Sequence, residues 1–544
     1  MIELLKGYSM KTAELTPKET DNNSGLKILS MKEGHDGSIA LINNGKLEFA
    51  LEAEKDNGYR YGWASPSTFI KALELCNETP DVIAMSGWSK GASPDGSPIG
   101  AGYSGLDNQQ ITTQKSLGKE INFFSSSHER SHLLCAYGMS PFPQGQPCYA
   151  LLWEGHFGSF YYIDENIKIT KLGNILDHPG NRFAFLYAIA DPLFNLGAGQ
   201  IRLSDAGKLM ALTAYSSKGP IDPEGQHIIN TLLDGSLDFS CIKKDIFKDS
   251  PYYNLGVNNE RFATLVAHFS NALYEVFFSF VRGKVRSSAP LLISGGCGLN
   301  CDWNTKWIES KLFSDVFIPP CTNDSGSAIG TAIDAQFFFS GNAKIHWSPY
   351  SGEEPLRDTI KVEGFTRETY NASRLASLLS KGSIFGWIQG RYELGPRALG
   401  NRSLIAAPYP RDNLDRLNAI KLREKFRPIA PVCCEDDMEE YFSPAFPSPY
   451  MLEFRKVISP AIPAVTHADS SARPQSVSHH QNPMMYELLK SFKEQTGIAV
   501  LCNTSLNFNG YGFINSLSDL RAFAVQNNLD GFVFENDIYL KIEA

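Results

Sequence analysis

The segment from Gly390 to Ser403, Gly-Arg-Tyr-Glu-Leu-Gly-Pro-Arg-Ala-Leu-Gly-Asn-Arg-Ser, sets arginines among glycines and a proline. Glycine lets backbone N–H groups approach a ligand closely, and arginine's planar fork matches phosphate or carboxylate oxygens two at a time. Between Arg391 and Arg427 nine Lys or Arg stand against four acids, a local excess of five positive charges in a chain of formal charge −9. A concentrated positive pocket in an acidic background suits a small, multiply charged anion. It does not suit a nucleic-acid track, which needs an extended basic face.

At 544 residues the chain is long enough for more than one core. Its 42% hydrophobic and 20% charged content is that of an ordinary globular protein. Residues 1–25 are polar, mixed in charge and without the apolar core of a signal peptide, and no run is long and apolar enough to span a bilayer. The expected location is cytoplasmic, with no membrane partner. The ten cysteines form no CxxC pair, which argues against a zinc knuckle; free, buried thiols are expected.

The chain opens with short apolar strands at Leu26–Met31 and Ser38–Ile42, and Asn43-Asn44-Gly45 then turns into a third strand, Lys46–Leu51. A polar break, Glu33-Gly34-His35-Asp36-Gly37, separates the first two. This strand–loop–hairpin opening resembles the nucleotide-binding fold of actin, hexokinase and the heat-shock ATPases. Farther on, a strand at Pro290–Ile293 runs into Ser294-Gly-Gly-Cys-Gly-Leu-Asn300 and then a helix. Strand, glycine loop and helix form either a phosphate cradle or a plain βα turn. Val316–Ile318 is another strand. The helix Ser327–Phe338 follows, so Asp324 falls at the mouth of a βα loop, where ligands usually sit. Gly341–Gly364 has little periodicity and marks the expected boundary to a second α/β unit, with strands near Ser383–Trp387 and Ile498–Cys502. No repeat of fixed period is visible.

His128-Glu-Arg-Ser-His132 has i, i+4 spacing, which on a helix puts both imidazoles on one face, as a metal-ligand pair or as surface or capping histidines. Asp324 can supply a third, anionic ligand, and Glu154, in Trp153-Glu-Gly-His156, a fourth. Mixed nitrogen and oxygen ligation fits iron(II), manganese or zinc. The five residues also match the zinc-protease HExxH pattern formally, but the glycine loops have no place in a protease. His35, beside Asp36 in the first loop, is a general-base candidate, or the two form a loop-capping pair.

Taken in order, these pieces resemble the NodU/CmcH-type O-carbamoyltransferases of antibiotic and nodulation-factor biosynthesis, the family that includes tobramycin carbamoyltransferase. The matching segments include Gly34-His35-Asp36-Gly37, Leu51-Glu-Ala-Glu-Lys55, His128-x-x-x-His132, Gly207-Lys-Leu-Met210, Ser294 to Cys301, Pro320 to Asp324, Gly395 to Ser403, Lys421-x-Arg-Glu-x-Phe-Arg-Pro428, Ala472-Arg-Pro-Gln-Ser-Val477 and Asn503-Thr-Ser-Leu-Asn507. Lys32-Glu-Gly-His-Asp-Gly looks most like the 3′-hydroxymethylcephem carbamoyltransferases.

The resemblance implies a polar extension over 1–25, an actin/hexokinase-like carbamoyl-transfer domain over 26–345, a linker over 346–362 and a YrdC-like α/β domain over 363–544. The last would form carbamoyl-adenylate from carbamoyl phosphate and ATP, with Mg²⁺ accompanying ATP; the first would pass the carbamoyl group to a hydroxyl of a small natural product. Carried over by position, Arg397, Arg402, Lys421, Arg427, Arg473, Asn503 and Ser505 match the anion and nucleotide site, with Arg402 and Lys421 acting in catalysis. Gly295, Gly296 and Asn300 belong to the nucleotide-binding loop. His128, His132 and Asp324, joined by Glu154, match an iron(II) site. The family often has Asp-Gly where this chain has Glu154-Gly155. His35, with Asp36, matches the acceptor-activating group. A homodimer is compatible with the family. Three rivals differ in what they need: a sugar-kinase-type phosphotransferase has no use for the arginine module, tRNA threonylcarbamoyl modification needs a basic face that this acidic chain lacks, and a non-enzymatic nucleotide-binding partner protein would bind ATP without turnover.

Overall fold

A computed structural model describes residues 25–88, 100–116 and 118–542. The front of the chain builds two sheets. The first holds β1 (Lys27–Lys32), β2 (Ser38–Asn43), β3 (Lys46–Glu52), β4 (Val82–Ser86), β5 (Gln109–Ser116) and β6 (Lys119–Ser126), in the order β3-β2-β1-β4-β6-β5. β1 to β3 form an antiparallel meander, and β4 and β6 then run parallel to β1. The second sheet holds β7 (Cys148–Trp153), β8 (Gly158–Ile163), β9 (Ile169–Asn174), β10 (Leu291–Ser294) and β11 (Val316–Phe317), in the order β11-β10-β7-β8-β9. Again a meander is followed by two strands parallel to its first member. Without the edge hairpin strand β5, the two sheets have one topology. The front of the chain is therefore an actin/hexokinase-like fold made of two like halves. The repeat escapes a sequence scan because a long helical insertion, ending in helix Glu260–Lys284, separates β9 from β10 in the second half alone.

Helices His128–Met139 and Ser327–Ser340 pack together beside these sheets and share one apolar core with them. They approach so closely that a Cβ at Gly330 would lie 1.8 Å from the Ser131 carbonyl oxygen. Bidentate contacts from Arg130 to Asp334, at 2.6 and 2.9 Å, lock the crossing.

The back of the chain forms an eight-stranded mixed sheet. Its spatial order is Phe365–Thr369, Asp537–Lys541, Gly531–Phe534, Phe385–Ile388, Arg402–Ala406, Val500–Ser505, Ala430–Cys434 and Gln475–Val477. Helices Ala372–Ser380 and Pro483–Thr496 cover its core. No regular helix or strand lies between Ser340 and Phe365, where isolated bridges tie His346 to Lys46 and Leu356 to Ser516. The ten cysteines are all free and only Cys241 is exposed, as the composition predicts. Among the described residues no helix is long and apolar enough to cross a membrane. The polar extension over 1–25 lies outside the described residues, except for Gly25.

Candidate functional site

Ser127 ends β6's extended run and caps the next helix through its Oγ, so His128 is the first helical residue and His132 sits one turn on. The two Nε2 atoms face each other at 3.1 Å. Glu154, just past β7, brings Oε2 to 3.4 and 3.2 Å from them. Asp324, at the end of the β11 loop, brings Oδ1 to 3.6 and 3.3 Å. All four side chains are buried. Two donors each about 2.1 Å from one ion stand about 3.0–3.4 Å apart at ordinary ligand angles. The four donors are thus spaced to hold one metal ion. Burial opposes ionisation of both acids, but Lys32 and the histidines hold Asp324, and the histidines Glu154, well below the usual carboxylate range. Glu154's extra methylene, relative to the family's aspartate, does not keep it out of the cluster.

His35 borders this cluster. Its Nε2 lies 3.5 Å from Asp324 Oδ2 and its Nδ1 3.4 Å from Asp36 Oδ2. Asp36 adopts a left-handed conformation, φ 51°, which turns the loop under the imidazole. With 38% of its side chain exposed, His35 is within reach of a substrate.

A second cavity lies over the back sheet. Arg397, Arg423, Arg427 and Arg473 line it together with Asn503, Thr504 and Ser505. Met210, Met451 and Phe454 supply apolar wall, and His467 closes one side. Arg423 is aimed by Thr504 Oγ1 at 3.1 Å and Ser505 Oγ at 3.2 Å. The Nε atoms of Arg397 and Arg473 are buried without a hydrogen-bond partner. Burial and then repulsion from Arg473 pull Arg397 down to about 9; burial and then Arg427 do the same to Arg423. Four guanidinium groups thus line one cavity, two of them with an unpaired Nε, although Arg427 also lies 3.8 Å from Glu424; guanidinium forks match the oxygens of phosphate or carboxylate.

The loop after β10 joins the two sites. At its start, Ser294 Oγ donates to the His132 carbonyl at 2.8 Å and lies 3.3 Å from His132 Nδ1. At its end, the Leu299 carbonyl accepts from Arg397 Nη2 at 2.8 Å. Five residue steps span at most ~18 Å. The Gly-Pro-Arg segment also presses on the front half of the chain. Gly395 has φ +78°, and a Cβ there would meet the Pro320 carbonyl oxygen at 2.1 Å. Glu393 folds the rest of that segment, its Oε1 accepting the N–H groups of Leu399, Asn401 and Arg402 at 2.7, 2.8 and 3.1 Å.

The family pattern described as Carbamoyltransferase N-terminus matches residues 109–333, and Carbamoyltransferase C-terminus matches 376–541. The 3′-hydroxymethylcephem-O-carbamoyltransferase of Amycolatopsis lactamdurans is 44% identical over 520 residues, covering 95% of this chain and 100% of its own. The enzyme of the same name from Streptomyces clavuligerus is 42% identical, covering 95% and 99%. The chain belongs to the carbamoyltransferase family. Nodulation protein U of Rhizobium tropici, 33% identical over 90% of this chain and 92% of its own, is a more distant relative. Among solved structures, the activator of 2-hydroxyisocaproyl-CoA dehydratase from Clostridium difficile is 13% identical with a TM-score of 0.34, covering 58% of this chain and 96% of its own.

In this carbamoyltransferase the structure brings His128, His132, Glu154 and Asp324 together, with His35 and Asp36 at their edge. It brings Arg397, Arg427, Arg473, Asn503 and Ser505 to the cavity. Arg402 and Lys421, expected at the anion site, are not among the residues that line this cavity. Arg402 is fully buried; it donates to the carbonyls of Gln389 and Asn401 at 2.9 Å each and to Asn515 Oδ1 at 2.6 and 3.0 Å. Lys421 donates to the carbonyls of Ser505 and Asn507 at 2.7 and 2.9 Å. Lys421 thereby holds Ser505, a lining residue, whereas Arg402 braces the Gly-Asn-Arg turn. Gly295, Gly296 and Asn300 also lie outside the lining; Asn300 caps helix Cys301–Glu309, and Gly295 clears the Trp153 carbonyl. Sequence reasoning gave no role to Arg423, which was visible in Lys421-x-Arg, to Lys32, which opens the Lys32-Glu-Gly-His-Asp-Gly motif, or to His467 and Tyr103, which no motif marks.

Proposed function

We propose that this carbamoyltransferase works on an alcohol in two separated steps. In the back cavity, carbamoyl phosphate loses phosphate to water. The resulting carbamate oxygen attacks the α-phosphorus of ATP, and pyrophosphate leaves, with Mg²⁺ accompanying the nucleotide. Arg397, Arg423, Arg427 and Arg473 hold the two polyanions together. At about 4 Å and an effective dielectric near 20, each pair of like charges costs about 4 kcal/mol, so several cations are needed. In the front site the acceptor oxygen attacks the carbamoyl carbon, the bond to the AMP oxygen breaks, and AMP departs. His35 takes the hydroxyl proton, with Asp36 steadying its Nδ1 side. His128, His132, Glu154 and Asp324 would hold a metal ion, read as iron(II), which supplies Lewis acidity toward the departing phosphate when bound.

The observation that carries this reading is the Ser294–Leu299 bridge, which touches a metal-type cluster at one end and a polyanion cavity at the other. A reactive mixed anhydride is better passed between sites that close than released to water. We assign the modules to 26–345 and 363–544, with 346–362 as connection, and read the back module as YrdC-like. The acceptor class is a small hydroxymethylated natural product, with 3′-hydroxymethylcephems first to be tried. The purified protein is incubated with ATP, carbamoyl phosphate and a panel of hydroxylated metabolites. Gain of one carbamoyl mass by an acceptor is expected; absence of pyrophosphate release with every acceptor refutes the proposal.

A further inference from the structure

We propose that Lys32 and Tyr103 are positioning residues that make Asp324 and Glu154 each offer one oxygen, and only one, to the metal. This rests on the metal reading of the His128 cluster given above.

Each carboxylate divides its oxygens between two tasks. Asp324 Oδ1 faces the two imidazoles, while Oδ2 lies 3.0 Å from Lys32 Nζ. Glu154 Oε2 faces the imidazoles, while Oε1 accepts the Tyr103 hydroxyl proton at 2.8 Å. Lys32 is 1% exposed. A buried ammonium is tolerated only when paired, and here the pair is the metal-type carboxylate itself. Its Nζ also donates to the His35 carbonyl and sits 4.5 Å over the Trp88 ring. One cation therefore ties the His35 loop to Asp324. It also cancels one of the cluster's two carboxylate charges.

Tyr103 sets a histidine as well as a carboxylate. Its ring stacks on His128 at 4.5 Å and, in a second stack, on Phe157 at 5.2 Å. Metal-binding histidines are usually oriented through the hydrogen bond of the other ring nitrogen. Ser294 Oγ stands at that position for His132. His128 Nδ1 is buried with no hydrogen-bond partner, so its ring plane is set by the Tyr103 stack instead.

The test is metal affinity and site geometry in metal-stripped full-length protein, using cobalt(II) and zinc(II) against a chromophoric chelator. Tyr103→Phe keeps the stack and loses the hydroxyl; affinity should fall about 10-fold, and Tyr103→Ala should fall further, toward about 100-fold. Lys32→Met should weaken binding to a like degree and shift the cobalt(II) visible bands, with Lys32→Arg restoring part of both. Affinities within twofold of the parent, with unchanged cobalt(II) spectra, in Tyr103→Phe and Lys32→Met overturn the inference. If Lys32→Met does not fold, Tyr103→Phe alone decides. A parent protein that binds neither ion overturns the metal reading itself, and this inference with it.

Discussion

Arg402 and Arg473 both come from arginine-bearing family motifs, yet their surroundings demand opposite responses to truncation. Arg402→Ala strips donors from the buried carbonyls of Gln389 and Asn401 and from the partly buried Asn515 Oδ1. Each buried acceptor left bare costs about 1–3 kcal/mol. Water entering the vacated volume recovers part of this, which leaves about 3–5 kcal/mol. For a unit the size of the back module, at about 2–4 °C per kcal/mol, the unfolding midpoint should fall by about 10 °C. Arg473→Ala removes a cation whose Nε has no hydrogen-bond partner and which repels Arg397. Its midpoint should stay within about 2 °C, while pyrophosphate release from ATP and carbamoyl phosphate falls by about 100-fold or more, the scale for losing one charge-stabilising donor. Differential scanning calorimetry and an acceptor-free pyrophosphate assay on both variants separate the two roles. An Arg402→Ala protein as stable as the parent but inactive in pyrophosphate release would refute the scaffold assignment. So would an Arg473→Ala protein with full release.

Other consequences follow from the same geometry. His35→Asn should keep acceptor-free pyrophosphate release and lose carbamoyl transfer; equal loss of both, or of neither, would sink the division between the sites. Gly395→Ala forces a Cβ to 2.1 Å from the Pro320 carbonyl oxygen at φ +78°, so it should displace Arg397 and lower pyrophosphate release at least tenfold. Saturating pyrophosphate should raise the parent's unfolding midpoint, by about 2.7 kcal/mol of stability at 100 times its Kd, and should do so much less for Arg473→Ala. Burial pushes the Cys148 and Cys434 thiols up to about 12. Above pH ~8.5 the unfolded chain sheds these protons and the folded chain keeps them, so stability is full below that pH and declines toward pH 12, by up to about 1.4 kcal/mol per thiol per pH unit. Urea midpoints at pH 7.5, 9 and 10 check this, and Cys148→Ser should flatten the decline.

Local spacing carried the candidate metal site a long way. His128 and His132 needed only a helix to share a face, and the Ser127 cap supplies its start. The first three strands and the turn at Asn44-Gly45 were readable from alternating apolar runs and turn chemistry. Tyr103 was not readable, because it reaches Glu154 from a loop 51 positions away. The two like halves of the front fold were also hidden, since backbone pairing can repeat while side chains and insertions do not.

Composition and order alone established a run of arginines among glycines within an acidic protein, a histidine pair at the spacing of one helical turn, and the family's run of motifs. Which arginines meet a ligand was left to the folded chain. Arg402 lies on a strand paired with Ile388, where its guanidinium is consumed by neighbouring carbonyls, whereas Arg397 leaves a glycine turn with its Nε unpaired. Both follow a glycine by two positions in the sequence. The direction of a side chain is set by strand register and by what packs behind it, and neither exists until distant segments meet.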